Sequence, residues 1–279
     1  MIKNEKCFFT IIIKDADNLL ALDVLKRQNW IDFECIIANS YIQNLEKYIA
    51  NDKRFRIIES ASDDKYQNVN IAIEHGVGKY FIILNSDDIL IPNSLENIYK
   101  IVISTDAQIV KYNTIMTKDL SGLSLDEQKF TFNYLIRRNL IMQSMFDNLS
   151  GFCFARDIIQ SNNIYSPEHL FIMNILKNAV SIAKTGNVYL LQSKEHVKIT
   201  VDEYVKVIDN FKNTKDEFSD NFWRDYFKKI IPETVIKTVS DKRRDVFVYC
   251  CKNIPLRFIP LKYKFMFFIM GLISRDGDA

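Results

Sequence analysis

Apolar runs broken by short polar stretches divide roughly the first 110 residues into alternating elements. Phe8-Phe9-Thr10-Ile11-Ile12-Ile13, Phe33-Glu34-Cys35-Ile36-Ile37-Ala38 and Tyr80-Phe81-Ile82-Ile83-Leu84 are rich in isoleucine and aromatics. Such near-continuous runs predict strands buried on both faces. Arg56 to Glu59 predicts a short strand and Ala107 to Tyr112 a further one. Between them, Asn18 to Arg27 sets Leu19, Leu20, Leu22, Val24 and Leu25 against Asp23, Lys26 and Arg27, the pattern of a short amphipathic helix. Leu45 to Ala50 is helical in character, and Val69 to His75 predicts a helix ended by a glycine stop at Gly76-Val77-Gly78. Pro92-Asn93-Ser94 announces another helix near Leu95. Strands alternating with helices imply βαβ units, a parallel sheet and the α/β class.

The stretch that organises the rest is Leu84-Asn85-Ser86-Asp87-Asp88, where a buried strand stops and two carboxylates follow. Acidic residues at the C-terminal end of a parallel strand stand where open α/β sheets bind ligands. Carboxylate oxygens suit a hard divalent cation, Mg²⁺ or Mn²⁺, which can in turn hold a diphosphate. Taken alone, the aspartate pair fits a solvated Asx-rich turn equally well. The chain has neither a G-x-G-x-x-G nor a G-x-x-x-x-G-K-[ST] pattern, which separates it from dinucleotide-binding dehydrogenases and P-loop enzymes. Phosphate recognition would rest on metal and side chains.

Bulk properties narrow the class further. At 279 residues the chain fits one large α/β domain, alone or with a small appendage. A net charge of +2 gives no global pull towards nucleic acid. The five cysteines have no metal-ligand spacing; Cys7, Cys35 and Cys153 sit among apolar residues and read as reduced thiols of a reducing compartment. Met1 to Lys6 runs straight into a strand, so no signal peptide is expected. No stretch reaches the roughly 18 apolar residues of a membrane span. The expected location is cytoplasmic, with room for peripheral contact at the inner face of a membrane.

The order of features resembles a family 2 glycosyltransferase of the GT-A fold. Gln28-Asn29 stands at the end of the first helix, where that family has Gln-Thr. Glu34-Cys35-Ile36-Ile37-Ala38-Asn39-Ser40 occupies the strand-plus-Asp-Asp motif, and Asp52-Lys53-Arg54 the Asp-x-Arg segment. Asn70 to Tyr80 matches the Asn-x-Gly-Ile to Gly-x-Tyr segment, and Leu84 to Asp88 the Leu-Asp-Ser-Asp-Asp run. More weakly, Gly151 to Asp157 resembles the strand before the acceptor site, Glu168-His169 stands at the acceptor-side Glu-Asp pair, and Val188 to Gln192 resembles a late strand. The resemblance implies a Rossmann-like, mostly parallel central sheet flanked by helices. A nucleotide-sugar half would span 1–110, an acceptor half 111–200, and a helical region 201–279.

The chemistry it implies is transfer of a sugar from a nucleotide diphosphate donor with inversion. By resemblance Asp88 would ligate the cation, and Asp87 would approach the ribose or the metal. Asn39, Asp63, Lys65 and Asn70 would lie along the nucleotide sugar, although a solvated turn is the stronger reading for Asp63-Asp64-Lys65. Glu168 or His169 would act as base on the acceptor hydroxyl. Several positions depart from the family. Its Pro-x-Tyr-Asn turn reads Lys14-Asp15-Ala16-Asp17. Asn39-Ser40 replaces two aspartates, Val69 replaces an arginine, Asn85 replaces the first aspartate of the run, and His169 replaces the usual catalytic aspartate. A histidine with a pKa near 6.5 can serve as a base at neutral pH. Lys194 and His196, after the late strand, are weaker candidates, and His75 reads as a partner for a helix C-terminus.

From Val201 onwards the spacing is helical, and Lys242-Arg243-Arg244 opens a basic, aromatic stretch. Lys and Arg mixed with aromatics suit an anionic leaflet; packing within the protein, with basic heads reaching water, suits them equally. The sequence therefore predicts a metal-dependent, inverting glycosyltransferase. Expected partners are a nucleotide-diphosphate sugar and a saccharide or lipid-linked acceptor of a surface glycan, such as capsule or lipooligosaccharide. Peripheral membrane contact through 242–273 and a homo-oligomer are compatible with it. The alternative is a non-catalytic GT-A domain that binds glycan or a partner.

Overall fold

The structure, a computed structural model, describes residues 7–40, 45–58, 64–116, 132–133, 149–164, 168–192, 200–215 and 220–273. The chain forms two compact units, Met1–His196 and Val197–Ala279.

The first unit is built on a mixed sheet. β1 (Phe9–Ala16) lies between β2 (Phe33–Ser40) and β4 (Tyr80–Asn85), parallel to both, and β3 (Phe55–Ile58) continues parallel outside β2. These are the isoleucine-rich runs, and Ile11, Ile12 and Ile13 are all inaccessible to solvent, as buried parallel strands require. Beyond β4 the directions mix. β8 (Phe152–Ala155) runs antiparallel to β4 and to β6 (Ile109–Met116). β9 (Ile182–Gln192) is parallel to β6, and β5 (Ile89–Leu90) and β7 (Phe132–Asn133) pair antiparallel with β9. β9 begins six residues before the apolar run that marks it in the sequence, because Lys184, Gly186 and Asn187 interrupt that run.

Helices α1 (Leu20–Lys26), α2 (Leu45–Ile49), α3 (Lys65–His75), α4 (Ser94–Thr105), α5 (Arg156–Gln160) and α6 (Glu168–Asn178) accompany the strands. α3 starts four residues earlier than the apolar pattern indicates, because Asp64 caps it by accepting from the Tyr66 N–H at 2.8 Å. The glycines after α3 are not a left-handed stop: Gly76 has φ −66°. They are required by close approach. A Cβ on Gly76 would lie 2.5 Å from the Phe81 ring, and one on Gly78 would lie 2.3 Å from the Thr10 backbone nitrogen. Left-handed residues bracket α4 instead: Asn93, φ 64°, opens it and Asp106, φ 50°, closes it.

The second unit is helical: α7 (Glu203–Thr214), α8 (Asp220–Ser240), α9 (Arg244–Asn253), a 3-10 turn Leu256–Phe258 and α10 (Leu261–Ile273). Its core is aromatic. Phe211 meets Trp223, Phe227 and Phe258 edge-on at centroid distances of 4.9, 5.1 and 5.8 Å. Phe247 meets Phe267 at 5.5 Å. No helix among the described residues is long and apolar enough to cross a membrane.

Candidate functional site

The site grows from the C-terminal ends of β1 and β4, where Lys14 and Asn85 stand side by side in register. The chain turns at Ser86-Asp87, and Asp88 folds back onto the strand end. Its Oδ2 accepts from the Asn85 backbone N–H at 2.8 Å, from the Asn85 side-chain amide at 2.9 Å and from the Ser150 hydroxyl at 2.5 Å. Asp88 is fully buried, and Asp87 beside it is buried as well. The turn is fastened on both sides. The Ser86 hydroxyl donates to Asp17, and the Ala21 N–H donates to the Ser86 carbonyl at 3.0 Å. The Gln28 amide donates to the Leu90 and Ile91 carbonyls, each at 3.1 Å, which joins the end of α1 to the chain just beyond the aspartates.

A second carboxylate belongs to Glu168, the first residue of α6. Its Oε1 lies 2.5 Å from the Lys14 Nζ, and the two side chains are 11% and 4% exposed. Its Oε2 accepts the Leu149 N–H at 3.0 Å, and the Tyr66 hydroxyl lies 3.5 Å from Oε1. Burial by itself pushes the Glu168 carboxyl up. The Lys14 charge and hydrogen bond, the Leu149 N–H and the Lys65 charge outweigh it, so the group is held below the ordinary carboxylate range.

One short turn joins the two carboxylates. Leu149–Gly151 forms a single 3-10 turn whose first residue donates to Glu168 and whose second donates to Asp88. The Tyr112 hydroxyl, buried in β6, anchors that turn by donating to the Ser150 carbonyl at 2.7 Å.

The other sequence-expected residues distribute as follows. Lys65 is exposed at the start of α3, 5.0 Å from the Tyr66 ring centroid, on the side from which its charge reaches Glu168. Asn70 uses both ends of its amide on the Ile164 backbone, at 2.9 and 2.7 Å, and so staples α3 to the segment after α5. Asn39 lies near the end of β2, between the positions that pair with Lys14 and Ala16. His169 is the second residue of α6. Asp63, Lys194 and His196 lie outside the described residues. Lys14, Leu149, Ser150, Tyr66 and Tyr112 escaped the sequence reading. Lys14 carried one signal: a charge continues the apolar run of β1 with no polar break before it.

No cluster of three His, Cys, Asp or Glu side chains occurs among the described residues. A cation here would take protein oxygen from the Asp87-Asp88 pair and the remainder from phosphate and water, the usual habit of Mg²⁺. Two adjacent carboxylates, with no His or Cys grouped with them among the described residues, fit a hard ion of that kind.

Comparison with known proteins agrees with this architecture. The sequence pattern of the family described as Glycosyl transferase family 2 matches residues 19–161, just over half of the chain. The crystal structure of S. aureus TarS 1–349 in complex with UDP-GlcNAc superimposes with a TM-score of 0.72 at 12% identity, covering 97% of this chain and 88% of that one. The same fragment in complex with UDP gives 0.70 at 13% identity, covering 96% and 88%. S. aureus TarS gives 0.69 at 13% identity, covering 97% of this chain and 53% of that one. At such identity the likeness is one of fold. No curated protein sequence matches the chain.

Proposed function

Since the chain belongs to glycosyl transferase family 2 and is a glycosyltransferase of GT-A fold, we propose that it inverts the anomeric carbon of a sugar delivered by a nucleotide diphosphate. The observation that carries this reading is the 3-10 turn that ties a donor-side carboxylate, Asp88, to an acceptor-side one, Glu168. The arrangement holds two sets of groups at one end of the sheet, where ligands bind in α/β folds.

We assign distinct work to the two aspartates. Asp88, buried and gripped by three donors, holds the turn. Asp87, the second carboxylate of the pair, is assigned to Mg²⁺ or Mn²⁺, which when bound would neutralise the charge of the diphosphate leaving group. Asn39 addresses the base and Lys65 the diphosphate, with Asp63 beside it. Asn70 acts through the Ile164 backbone that it holds. The complexes of TarS with UDP and UDP-GlcNAc make a uridine nucleotide the first donor to test.

On the acceptor side, Glu168 has both oxygens engaged and its pKa lowered, so it makes a poor proton acceptor. We assign it to positioning, and the proton to His169. The acceptor hydroxyl gives its proton to the His169 imidazole as its oxygen forms a bond to the anomeric carbon. The bond from that carbon to the diphosphate oxygen breaks on the opposite face, and the nucleotide diphosphate leaves with the electron pair. The acceptor class that suits such an enzyme is a growing surface glycan or lipid-linked saccharide, as in capsule or lipooligosaccharide assembly. With such an acceptor the enzyme would work in the cytoplasm, at the inner face of a membrane.

The test is the pH profile of donor turnover with Mn²⁺. A His169 base gives a rate that falls as pH drops through about 6.5, and the limb disappears in His169→Ala together with most of the activity. A limb below about 4.3, the ordinary Glu range, retained in His169→Ala and removed in Glu168→Gln, would give the proton to Glu168 instead.

A further inference from the structure

From Phe265 to Ile273 α10 carries apolar residues on every side, yet part of this surface is exposed. Phe267 is buried against Phe247 of α9. Leu261, Phe265 and Phe268 recur at helical spacing on the opposite face and are 85%, 76% and 51% exposed. A helix that is hydrophobic all round is normally buried all round. Three large apolar side chains at one helical spacing make a contiguous patch rather than scattered surface residues.

The charges beside the patch indicate what covers it. Lys262 and Lys264 flank it on α10, while Arg257 on the 3-10 turn just before is paired with Asp220 at 3.3 Å. From Val246 to Arg275 the sequence contains five basic residues and no acidic one. A second copy of the chain placed on this face about a twofold axis would bring like charges together. A surface of anionic lipid headgroups instead offers a counter-charge to every lysine and an apolar layer to the phenylalanines. At 13 residues the helix is about 20 Å long, short of the roughly 30 Å hydrocarbon core, so it lies on a bilayer and does not cross it.

We propose that the outer face of α10, with Leu261, Phe265 and Phe268 inserted and Lys262 and Lys264 on the headgroups, is a docking surface for an anionic membrane leaflet. The surface goes beyond the transfer chemistry and does not depend on it, so it stands or falls without reference to donor or acceptor.

Co-sedimentation of the full chain with vesicles tests it. Phosphatidylcholine vesicles containing about one third phosphatidylglycerol should carry the protein down, and pure phosphatidylcholine should not; added salt should release it. Lys262→Glu combined with Lys264→Glu should weaken binding by more than tenfold, taking about fivefold for each lost charge. Phe265→Ser with Phe268→Ser should weaken it at least as much while leaving thermal stability unchanged, since both side chains are exposed. In Phe265→Trp, added tryptophan emission should shift to the blue with anionic vesicles only. Equal binding to both vesicle types, no binding to either, or binding indifferent to these variants would overturn the proposal. So would a dimer in solution that Phe265→Ser with Phe268→Ser dissolves, because the face would then belong to a second copy.

Discussion

Two carboxylates sit at the same end of the sheet and are held in opposite ways. Asp88 is gripped by neutral donors, two of them from Asn85, three residues away, and the third from Ser150. Glu168 is gripped by a buried cation, Lys14, 154 residues distant in sequence. The first arrangement is a turn that closes on itself. The second is a long-range ion pair that joins the end of β1 to the start of α6. The neutral donors from Asn85 and Ser150 fix the Asp88 carboxylate at the strand end, as the cation site proposed above requires. An ion pair cancels the charge and fixes position, which suits a group that holds a helix in place.

The largest expected effect comes from breaking the ion pair from one side. Lys14→Met leaves Glu168 buried without its cation, at a cost of about 3 kcal/mol or more. For a chain of this size that lowers Tm by roughly 6–12 °C. Glu168→Gln combined with Lys14→Met should recover part of the loss in thermal denaturation. If the single and double variants melt together, the pair does not hold the structure as described.

Next come the aspartates, which separate turn-holding from ligand-holding. Asp88→Ala strands three donors and should cost about 2–3 kcal/mol. Asp87 is buried too, but Asp87→Asn keeps the shape of the side chain and should cost less than Asp88→Ala. Equal losses from the two would erase the division of roles. Gly78→Ala drives a Cβ against the Thr10 backbone and should cost about 1–3 kcal/mol, with Gly76→Ala somewhat less because a ring yields more readily than backbone.

The smallest effect is in acid. The folded-state pKa of Glu168 lies below its unfolded value, so its stabilisation is fully present above about pH 4.3 and is lost as pH falls through the folded value. The Tm gap between the wild type and Glu168→Gln should therefore be constant at neutral pH and close below about pH 4. A gap that widens in acid would reverse the sign of the shift.

The same contrast explains what the sequence disclosed. β1, β2 and β4 were legible because burial on both faces leaves a near-continuous apolar run rich in isoleucine. The Asn85 to Asp88 turn was legible because its partners are neighbours in sequence. Lys14 was not, because a lysine after Ile13 reads as the end of a strand, and only the fold brings Glu168 to it. Ser150 and Leu149 were invisible for the same reason. β5 and β7, two residues each, carry too little pattern to be seen. In the C-terminal unit, helical spacing identified the aromatic stripe; it could not divide Phe267, which is buried, from Phe268, which is not.

A nucleotide-diphosphate site organised by Asp87 and Asp88 can be tested by thermal denaturation of the wild type and Asp87→Asn with UDP, with and without Mn²⁺. At about 100 times its dissociation constant the ligand adds about 2.7 kcal/mol, a shift on the order of 5 °C for a chain this long. The expected result is that shift in the wild type, its dependence on Mn²⁺, and its loss in a folded Asp87→Asn. An equal shift in the variant, or none in a well-folded wild type with UDP or any other nucleotide diphosphate, would contradict it.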